Sequence, residues 1–195
     1  MRTIEDTFKN ADFLQPKVYN IYKLGSQKEL KVMFVKAFRN YDKTIVEYKH
    51  LLAYDEIIDW MVDTKGKGLI LMGECGLGKS TILKFVIPAI FNTKINKVLR
   101  CVSAKELSQI ERNENPFILI DDLGTENVKV DFGTKIDAIP DTISYAEDKS
   151  KTLLISTNLT PKALKTKYDE RTLDRLRRCK VVTINGESLR ANQRL

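Results

Sequence analysis

The sequence predicts an α/β domain with a mostly parallel sheet of five strands flanked by helices. Short apolar runs alternate with helix-like segments, which is typical of βαβ units. Of the 195 residues, 43% are hydrophobic and 30% are charged, as in a folded globular chain. We place this domain at about residues 66–195, after a helical N-terminal extension at about 1–65. The predicted strands are Leu69–Met72, Val98–Val102, Phe117–Ile120, Leu153–Ile155 and Val181–Ile184.

Composition excludes several classes of protein. The longest apolar stretch, Phe85–Phe91, is far shorter than the roughly 20 residues that a membrane-spanning helix needs. The N-terminus has no signal-peptide pattern, and three cysteines with one histidine give no zinc-ligand cluster. We therefore expect no membrane partner and a reducing compartment, the cytoplasm.

The N-terminal extension is predicted to hold two helices. Ser26 and Glu29 have the spacing of a capping box at the start of the first. The second covers about 44–65, with a break near Tyr54–Asp55, and ends at Gly66. The first helix carries an apolar stripe, which we expect to pack on the domain because an exposed stripe would promote aggregation; a partner-docking surface is the alternative. The stripe consists of Leu30, Met33, Phe34, Ala37, Phe38 and Tyr41.

A phosphate-binding loop is predicted between the first strand and a helix from about Lys79 to Phe91, which Pro88 is expected to kink or end. The segment Gly73–Ser80 fits GxxxxGK[ST] at every fixed position. Glycines let successive N–H groups point at phosphate oxygens, and the helix N-terminus adds partial positive charge. Lys79 would reach the β- and γ-phosphates of ATP, and the Ser80 hydroxyl would bind Mg²⁺. The predicted nucleotide-binding residues are Gly73, Glu74, Cys75, Gly76, Leu77, Gly78, Lys79, Ser80 and Thr81.

Two further strands deliver polar residues at their carboxyl ends. Phe117–Ile120 is followed by Asp121, predicted to hold the metal, and by Asp122, predicted to orient or deprotonate the attacking water. A strand that simply enters a turn is the alternative. Asn158 follows the next strand and could reach the γ-phosphate or the water, although it could also cap the helix that follows.

Four motifs stand in series along the chain: Gly73–Ser80, Ile120–Glu126, Ile155–Leu159 and Tyr168–Leu176. Together they resemble those of the AAA+ ATPases of the DnaC/DnaI helicase-loader group, to which the transposition helper IstB also belongs. The resemblance covers about residues 66–190. It implies an ATPase of DNA replication that assembles on single-stranded DNA and delivers a replicative helicase. Hydrolysis would be slow and stimulated by DNA or a partner.

The resemblance also implies roles for single residues. Asp121 matches the Walker B metal aspartate, and Asp122 occupies the catalytic acid position, where many AAA+ proteins have glutamate. Asn158 matches sensor 1. Arg171 and Arg175 match the two arginines of the box that supplies an arginine finger to a neighbouring subunit. We favour Arg175 as the finger, with a charged helix face as the alternative for both arginines.

The C-terminal segment adds one more match. Gly186–Arg190 resembles the Gly-x-Ser-x-Arg ending of the group, which places Arg190 at sensor 2. The few residues beyond it leave no room for a C-terminal helical lid, so a lidless AAA+ core is expected. The extension is short and has too few Cys and His for the zinc module that some loaders carry.

Charge points to an anionic partner. The chain has a formal net charge of +7, and eight basic against three acidic residues in Pro161–Lys180 account for +5 of it. Such a surplus favours nucleic acid or nucleotide phosphate as a partner, whereas a solvated helix face is the alternative.

Three other functions compete with a helicase loader. An IstB-like helper would act on duplex DNA. A nucleotide-gated binding module would hydrolyse little, which the short Asp122 would allow. A small-molecule kinase is disfavoured, since the sequence has no arginine-rich acceptor lid and Asp121 with Asp122 suits attack by water better.

Overall fold

The central sheet has five parallel strands, as predicted. The computed structural model describes residues 3–6, 17–41, 48–107, 114–126, 129–131, 134–136 and 138–189. The strand order in the main sheet is β2-β3-β6-β1-β7, and β4 and β5 form a separate antiparallel pair. All five predicted apolar runs contribute a strand, although the second strand begins three residues later than predicted. The strands are β1 (Leu69–Gly73), β2 (Cys101–Ser103), β3 (Phe117–Leu123), β4 (Lys129–Asp131), β5 (Thr134–Ile136), β6 (Thr152–Thr157) and β7 (Lys180–Ile184).

Helices cover both faces of this sheet. No helix in the described part of the chain is long and apolar enough to cross a membrane. One helix, α3, runs continuously through three segments, of which the middle one is π-helical: Lys79–Thr81, Ile82–Val86 and Ile87–Ile95. The others are α1 (Gln27–Tyr41), α2 (Leu52–Val62), α4 (Ala138–Asp148), α5 (Pro161–Lys167) and α6 (Glu170–Leu176).

Most of the predicted apolar stripe of α1 packs inside the protein, whereas Tyr41 at its end is 54% exposed. The N-terminus of α1 forms only half of the predicted capping box. The Glu29 N–H donates to Ser26 Oγ at 3.4 Å, but the Glu29 carboxylate pairs with Lys94 on α3 instead of reaching back. This ion pair joins the two helices. The buried members of the stripe are Leu30, Phe34, Ala37 and Phe38.

The predicted break near Tyr54–Asp55 is wrong, because α2 begins at Leu52 and runs through it. Leu51 precedes the helix in an extended conformation and its carbonyl accepts the Tyr54 N–H at 2.9 Å. Asp55 lies in the first turn, where a negative charge complements the helix dipole. The polar residues that suggested a break thus mark the start of the helix. Residues 44–47 of the predicted span lie outside the described residues.

Pro88 was predicted to kink or end its helix, and it does not end it. The π-helical segment stands directly before it, and the Ile87 N–H bonds to the Ile82 carbonyl five residues back. A wider turn relieves the crowding that a proline ring causes against the carbonyl four residues earlier. The helix therefore continues to Ile95.

Two apolar clusters fix the helices to opposite faces of the sheet. On one face, Leu69 and Leu71 of β1 join the buried residues of α1, α2 and α3. On the other, Ile70 and Met72 join those of α4, α5 and α6. This alternation follows from the two-residue period of a strand. Helices from residues 27–62 thus share a core with the helix that follows the phosphate loop, while the division at residue 65 stays a prediction.

We predict that Phe34→Ala lowers the free energy of unfolding by about 3–5 kcal/mol, because it leaves a cavity between α1 and α2. The Phe34 ring is fully buried and lies 5.5 Å from the Tyr54 ring, centroid to centroid. Val32→Ala on the exposed side of α1 is the control and should change it by less than about 0.5 kcal/mol. Urea unfolding measures both, and equal effects would contradict the packing described.

Candidate functional site

The phosphate loop joins β1 to α3 with the backbone that its sequence predicts. Gly76 and Gly78 have φ values of +82° and +76°, in the left-handed region. A Cβ on Gly78 would lie 2.7 Å from Phe38 Cζ, so glycine is needed there for space as well as for conformation. The Ile82 N–H bonds to the Gly78 carbonyl at 2.8 Å, which starts α3 at the end of the loop. The loop therefore presents a helix N-terminus, a general site for phosphate.

Lys79 lies against the phosphate loop. Its ammonium donates to the Glu74 carbonyl oxygen at 2.6 Å, and the residue is 5% exposed. A lysine beside main-chain N–H groups at a helix N-terminus adds full positive charge to a region that already attracts anions.

Neighbouring elements brace the loop from two sides. The Tyr54 hydroxyl of α2 donates to the Leu77 carbonyl at 3.1 Å, and burial raises the pKa of Tyr54, which keeps it a donor. The Leu189 N–H donates to the Gly76 carbonyl at 2.9 Å. A Cβ on Gly76 would lie 2.1 Å from Ser188 Oγ, so the predicted sensor 2 segment packs directly on the loop. Arg190 itself lies outside the described residues.

Asp121 lies at the carboxyl end of β3 and is 1% exposed. Its Oδ1 accepts from Ser156 Oγ of β6 at 2.5 Å, and its Oδ2 lies 2.6 Å from Lys84 Nζ of α3. Burial alone would raise the pKa of Asp121, but hydrogen bonds from Lys84, Ser156 and Ser80 lower it below its usual value. The carboxylate is therefore ionised at neutral pH.

Asp122 follows in a left-handed conformation, with φ of +56°. The register of β3 against β6 shifts at this point, between Ile120 and Leu123. Such an irregularity redirects a side chain, and aspartate is one of the few residues that tolerate positive φ. The Asp122 N–H donates to Ser156 Oγ at 2.9 Å, so one hydroxyl holds both neighbouring aspartates.

Residues of the phosphate loop and the ends of two strands line a cleft of about 150 Å³ at the carboxyl edge of the sheet. The structure thus brings Asn158 and Asp122 together with the loop, with Asp121 beneath. A larger cavity of about 300 Å³ lies at the opposite edge, beside Gly68 and Leu153, and contains no part of the loop. The cleft is lined by Cys75, Gly76, Gly78, Lys79, Ser80, Thr81, Asp122 and Asn158.

The oxygen donors beside the cleft fit magnesium. Ser80 offers a hydroxyl and Asp121 a carboxylate, and the two are hydrogen-bonded. Within the described residues no group of three or more His, Cys, Asp or Glu could hold a metal ion by itself. Mg²⁺ suits such a site, since it keeps several waters and takes few protein ligands plus phosphate oxygens.

The two arginines of α6 lie in different surroundings. Helix α6 begins near the carboxyl edge, where the Tyr168 hydroxyl meets Glu126, and Arg171 in its first turn is exposed. One turn later, Arg175 Nε donates to Glu147 Oε2 at 2.6 Å, its side chain is 10% exposed, and it lines the cavity at the opposite edge. The guanidinium of Arg175, the predicted finger, is thus held by Glu147 within the same chain.

Glu126 connects the loop after β3 to the start of α6. Its Oε1 accepts from Tyr168 Oη at 2.6 Å and pairs with Lys167 Nζ at 2.9 Å, and its Oε2 accepts from the Gly124 N–H at 2.7 Å. Burial raises the pKa of Glu126, but these hydrogen bonds outweigh it and lower the value. The loop after β3 is thereby tied to the start of α6, the helix that carries Arg171.

Sequence reasoning missed Ser156, Lys84 and Glu126. Ser156 and Glu126 stand inside recognised motifs, two residues before Asn158 and four after Asp122, but without an assigned role. Lys84 lies four residues after Ser80, and that spacing on a helix was the available signal that both face the same strand.

Together, the fold and the cleft define a P-loop NTPase. A family model described as Novel STAND NTPase 3 (nSTAND3) matches residues 48–189. This match covers well over half of the 195 residues, and the chain belongs to this family of NTPases. No curated protein matches the chain.

Solved structures share this fold. A protein from Streptococcus pyogenes serotype M3, proposed to be a primosome component, aligns with a TM-score of 0.54 and 16% identity over 77% of this chain and 89% of its own. The DnaC helicase loader aligns with a TM-score of 0.52 and 16% identity over 76% of this chain and 98% of its own. The resemblance to the DnaC/DnaI group that the motifs predict is therefore confirmed at the level of the fold.

We predict that Glu126→Gln lowers the free energy of unfolding by roughly 1–3 kcal/mol at neutral pH, because a buried, ion-paired carboxylate is lost. The lowered pKa of Glu126 stabilises the folded state above the unfolded pKa of about 4.3, and this contribution disappears as pH falls through the lower folded value. Urea unfolding of both proteins between about pH 7 and about pH 3 should therefore show a converging difference.

Glu170→Gln is the matched control, since the Glu170 carboxylate pairs with Arg177 at the surface. It should change stability little at any pH. A difference for Glu126→Gln that stays constant on acidification would contradict the role of its charge.

Proposed function

We propose that the chain binds ATP with Mg²⁺ and hydrolyses it, as a helicase-loader-like ATPase of DNA replication. One observation carries the ATPase proposal: Lys79, Ser80, Asp122 and Asn158 meet in one cleft above a buried, ionised Asp121. The cleft thus combines positive charge for phosphates, a metal carboxylate and a second carboxylate for water.

In this proposal the chain acts by positioning and charge stabilisation. The Lys79 ammonium exchanges its hydrogen bond to the Glu74 carbonyl for contacts with the β- and γ-phosphates, and it stabilises their negative charge. Ser80 and Asp121 would hold Mg²⁺, which when bound neutralises phosphate charge. Asp122 accepts a hydrogen bond from the attacking water and takes its proton, and the Asn158 amide orients the γ-phosphate or that water.

Arg171 is our candidate for the arginine that a neighbouring subunit supplies. It is exposed in the first turn of α6, whereas Arg175 is held by Glu147. Two subunits would then share one nucleotide, with the cleft of one facing Arg171 of the other. Self-association in this form makes hydrolysis depend on assembly.

The replication role rests on the fold shared with a helicase loader and on local charge. The DnaC helicase loader and the proposed primosome component have this architecture. Lys162 and Lys165 of α5 are exposed in the same basic stretch as Arg171, and they would contact the phosphates of single-stranded DNA. A replicative helicase is the protein partner that follows from this role.

We predict that the purified protein hydrolyses ATP slowly and that single-stranded DNA stimulates it more than duplex DNA. Lys79→Ala should lose ATP binding, and Asp122→Asn should keep binding but lose turnover by about 100-fold or more, because it can accept no proton. Phosphate release and equilibrium ATP binding are measured with no DNA and with each form of DNA. Lys97→Ala at an exposed site just beyond α3 is the control.

Each pattern of results has a definite meaning. Stimulation by duplex DNA alone would replace the loader by a transposition helper. ATP binding without turnover in any condition would contradict the ATPase and leave a nucleotide-gated module.

We predict that Arg171→Ala lowers the rate of DNA-stimulated ATP hydrolysis by about 100-fold or more and leaves ATP affinity unchanged. Subunits with Arg171→Ala retain an intact cleft, and subunits with Asp122→Asn retain Arg171. Mixing the two inactive variants should restore part of the activity, because each mixed interface can pair one good cleft with one good arginine.

Arg177→Ala is the control, since Arg177 is an exposed arginine one residue beyond α6 and pairs with Glu170 and Asp174. Arg175→Ala should instead lower thermal stability by removing a partner of Glu147. Failure of the mixture to regain activity would rule out Arg171 as a residue that acts across the interface.

A further inference from the structure

Lys84 places a permanent cation on the carboxylate that is expected to serve the metal. Its Nζ lies 2.6 Å from Asp121 Oδ2, and Asp121 is 1% exposed. The other oxygen, Oδ1, already accepts from Ser156 Oγ. Any cation that approaches Asp121 from the cleft therefore meets a carboxylate whose charge is already balanced.

The position of Lys84 follows from the helix that carries it. Ser80 and Lys84 are four residues apart on α3, so they lie on one face, and both donate to Asp121. The Lys84 ammonium thus forms an ion pair with the Asp121 carboxylate. The two lysines have different partners: Lys84 Nζ lies 2.6 Å from Asp121 Oδ2, whereas Lys79 Nζ donates to the Glu74 carbonyl of the loop.

We propose that Lys84 competes with Mg²⁺ for Asp121, and so sets how strongly nucleotide binding depends on the metal. This inference rests on the proposed function, because it assumes that the cleft takes a nucleotide with Mg²⁺. Two cations on one carboxylate repel each other, so Mg²⁺ must displace the ammonium or share Asp121 with it. Metal-free nucleotide is meanwhile tolerated, because Lys84 shields the phosphates from the charge of Asp121.

A charge-removing substitution separates this role from a structural one. Without Lys84, Asp121 becomes a stronger ligand for Mg²⁺ and repels phosphate when the metal is absent. Both effects increase the ratio of nucleotide affinity with Mg²⁺ to nucleotide affinity in excess EDTA. A merely structural lysine would change both affinities together and leave the ratio unchanged.

The experiment measures this ratio with N-methylanthraniloyl-ADP, whose fluorescence reports binding without hydrolysis. Lys84→Met removes the charge and keeps the stem, whereas Lys84→Gln removes the charge and keeps a hydrogen-bond donor for Asp121, which protects folding. Lys84→Arg keeps the charge. Lys94→Met is the matched control, because Lys94 is another α3 lysine in an ion pair, with Glu29, far along the helix from the loop.

We expect the ratio of nucleotide affinity with Mg²⁺ to that in EDTA to rise about fivefold or more in Lys84→Met and Lys84→Gln, because each removes a unit charge beside Asp121. We expect wild-type ratios in Lys84→Arg and Lys94→Met. An unchanged ratio in a folded Lys84→Gln protein that still binds the nucleotide would overturn the competition and leave the ATPase proposal intact. No binding by the wild-type protein in either buffer would overturn both proposals.

Discussion

The site depends on the hydrogen bonds and the ion pair that the buried Asp121 carboxylate forms. A charge that is 1% exposed is stable only if partners replace the water it has lost. Here those partners come from two other elements: Ser156 from β6, and Ser80 with Lys84 from α3. The hydrogen bonds and ion pair of this one carboxylate therefore hold three elements together: β3, the neighbouring strand β6, and α3, the helix that begins at the phosphate loop.

Aromatic packing supports the same loop from behind. The Phe38 ring fills the space under Gly78, and the Tyr54 hydroxyl holds the Leu77 carbonyl. Phe34 lies against both rings, at 6.0 and 5.5 Å between centroids. Main-chain N–H groups can bind phosphate only while their direction is fixed, so α1 and α2 contribute to the site through packing rather than through contact with a ligand. The apolar stripe of α1 is thus part of the physical support of the cleft.

The sequence predicted those parts of the fold whose cause is local. Apolar runs located all five strands of the main sheet, and the glycine pattern located the loop. The second strand began late because Val98 is 61% exposed and belongs to the connection rather than to the sheet. Of the two outcomes predicted for Pro88, an end of the helix was wrong, because the π-helical segment that accommodates the proline has no recognisable sequence pattern. Contacts between residues far apart in the sequence could not be predicted either. The guanidinium of Arg175 pairs with Glu147, 28 residues away, and no local pattern indicates this pair.

The identity of the second aspartate has a structural cause as well. Asp122 sits in a left-handed turn of the backbone at an irregularity of β3, and aspartate adopts this conformation more easily than glutamate. In this conformation the Asp122 N–H donates to Ser156 Oγ, and the Ser156 hydroxyl in turn donates to Asp121 Oδ1. A single hydroxyl therefore bonds both to the buried carboxylate of Asp121 and to the backbone of Asp122, whose side chain lines the cleft. A glutamate would adopt this left-handed conformation less easily, so the shorter side chain of Asp122 fits the backbone geometry of the strand.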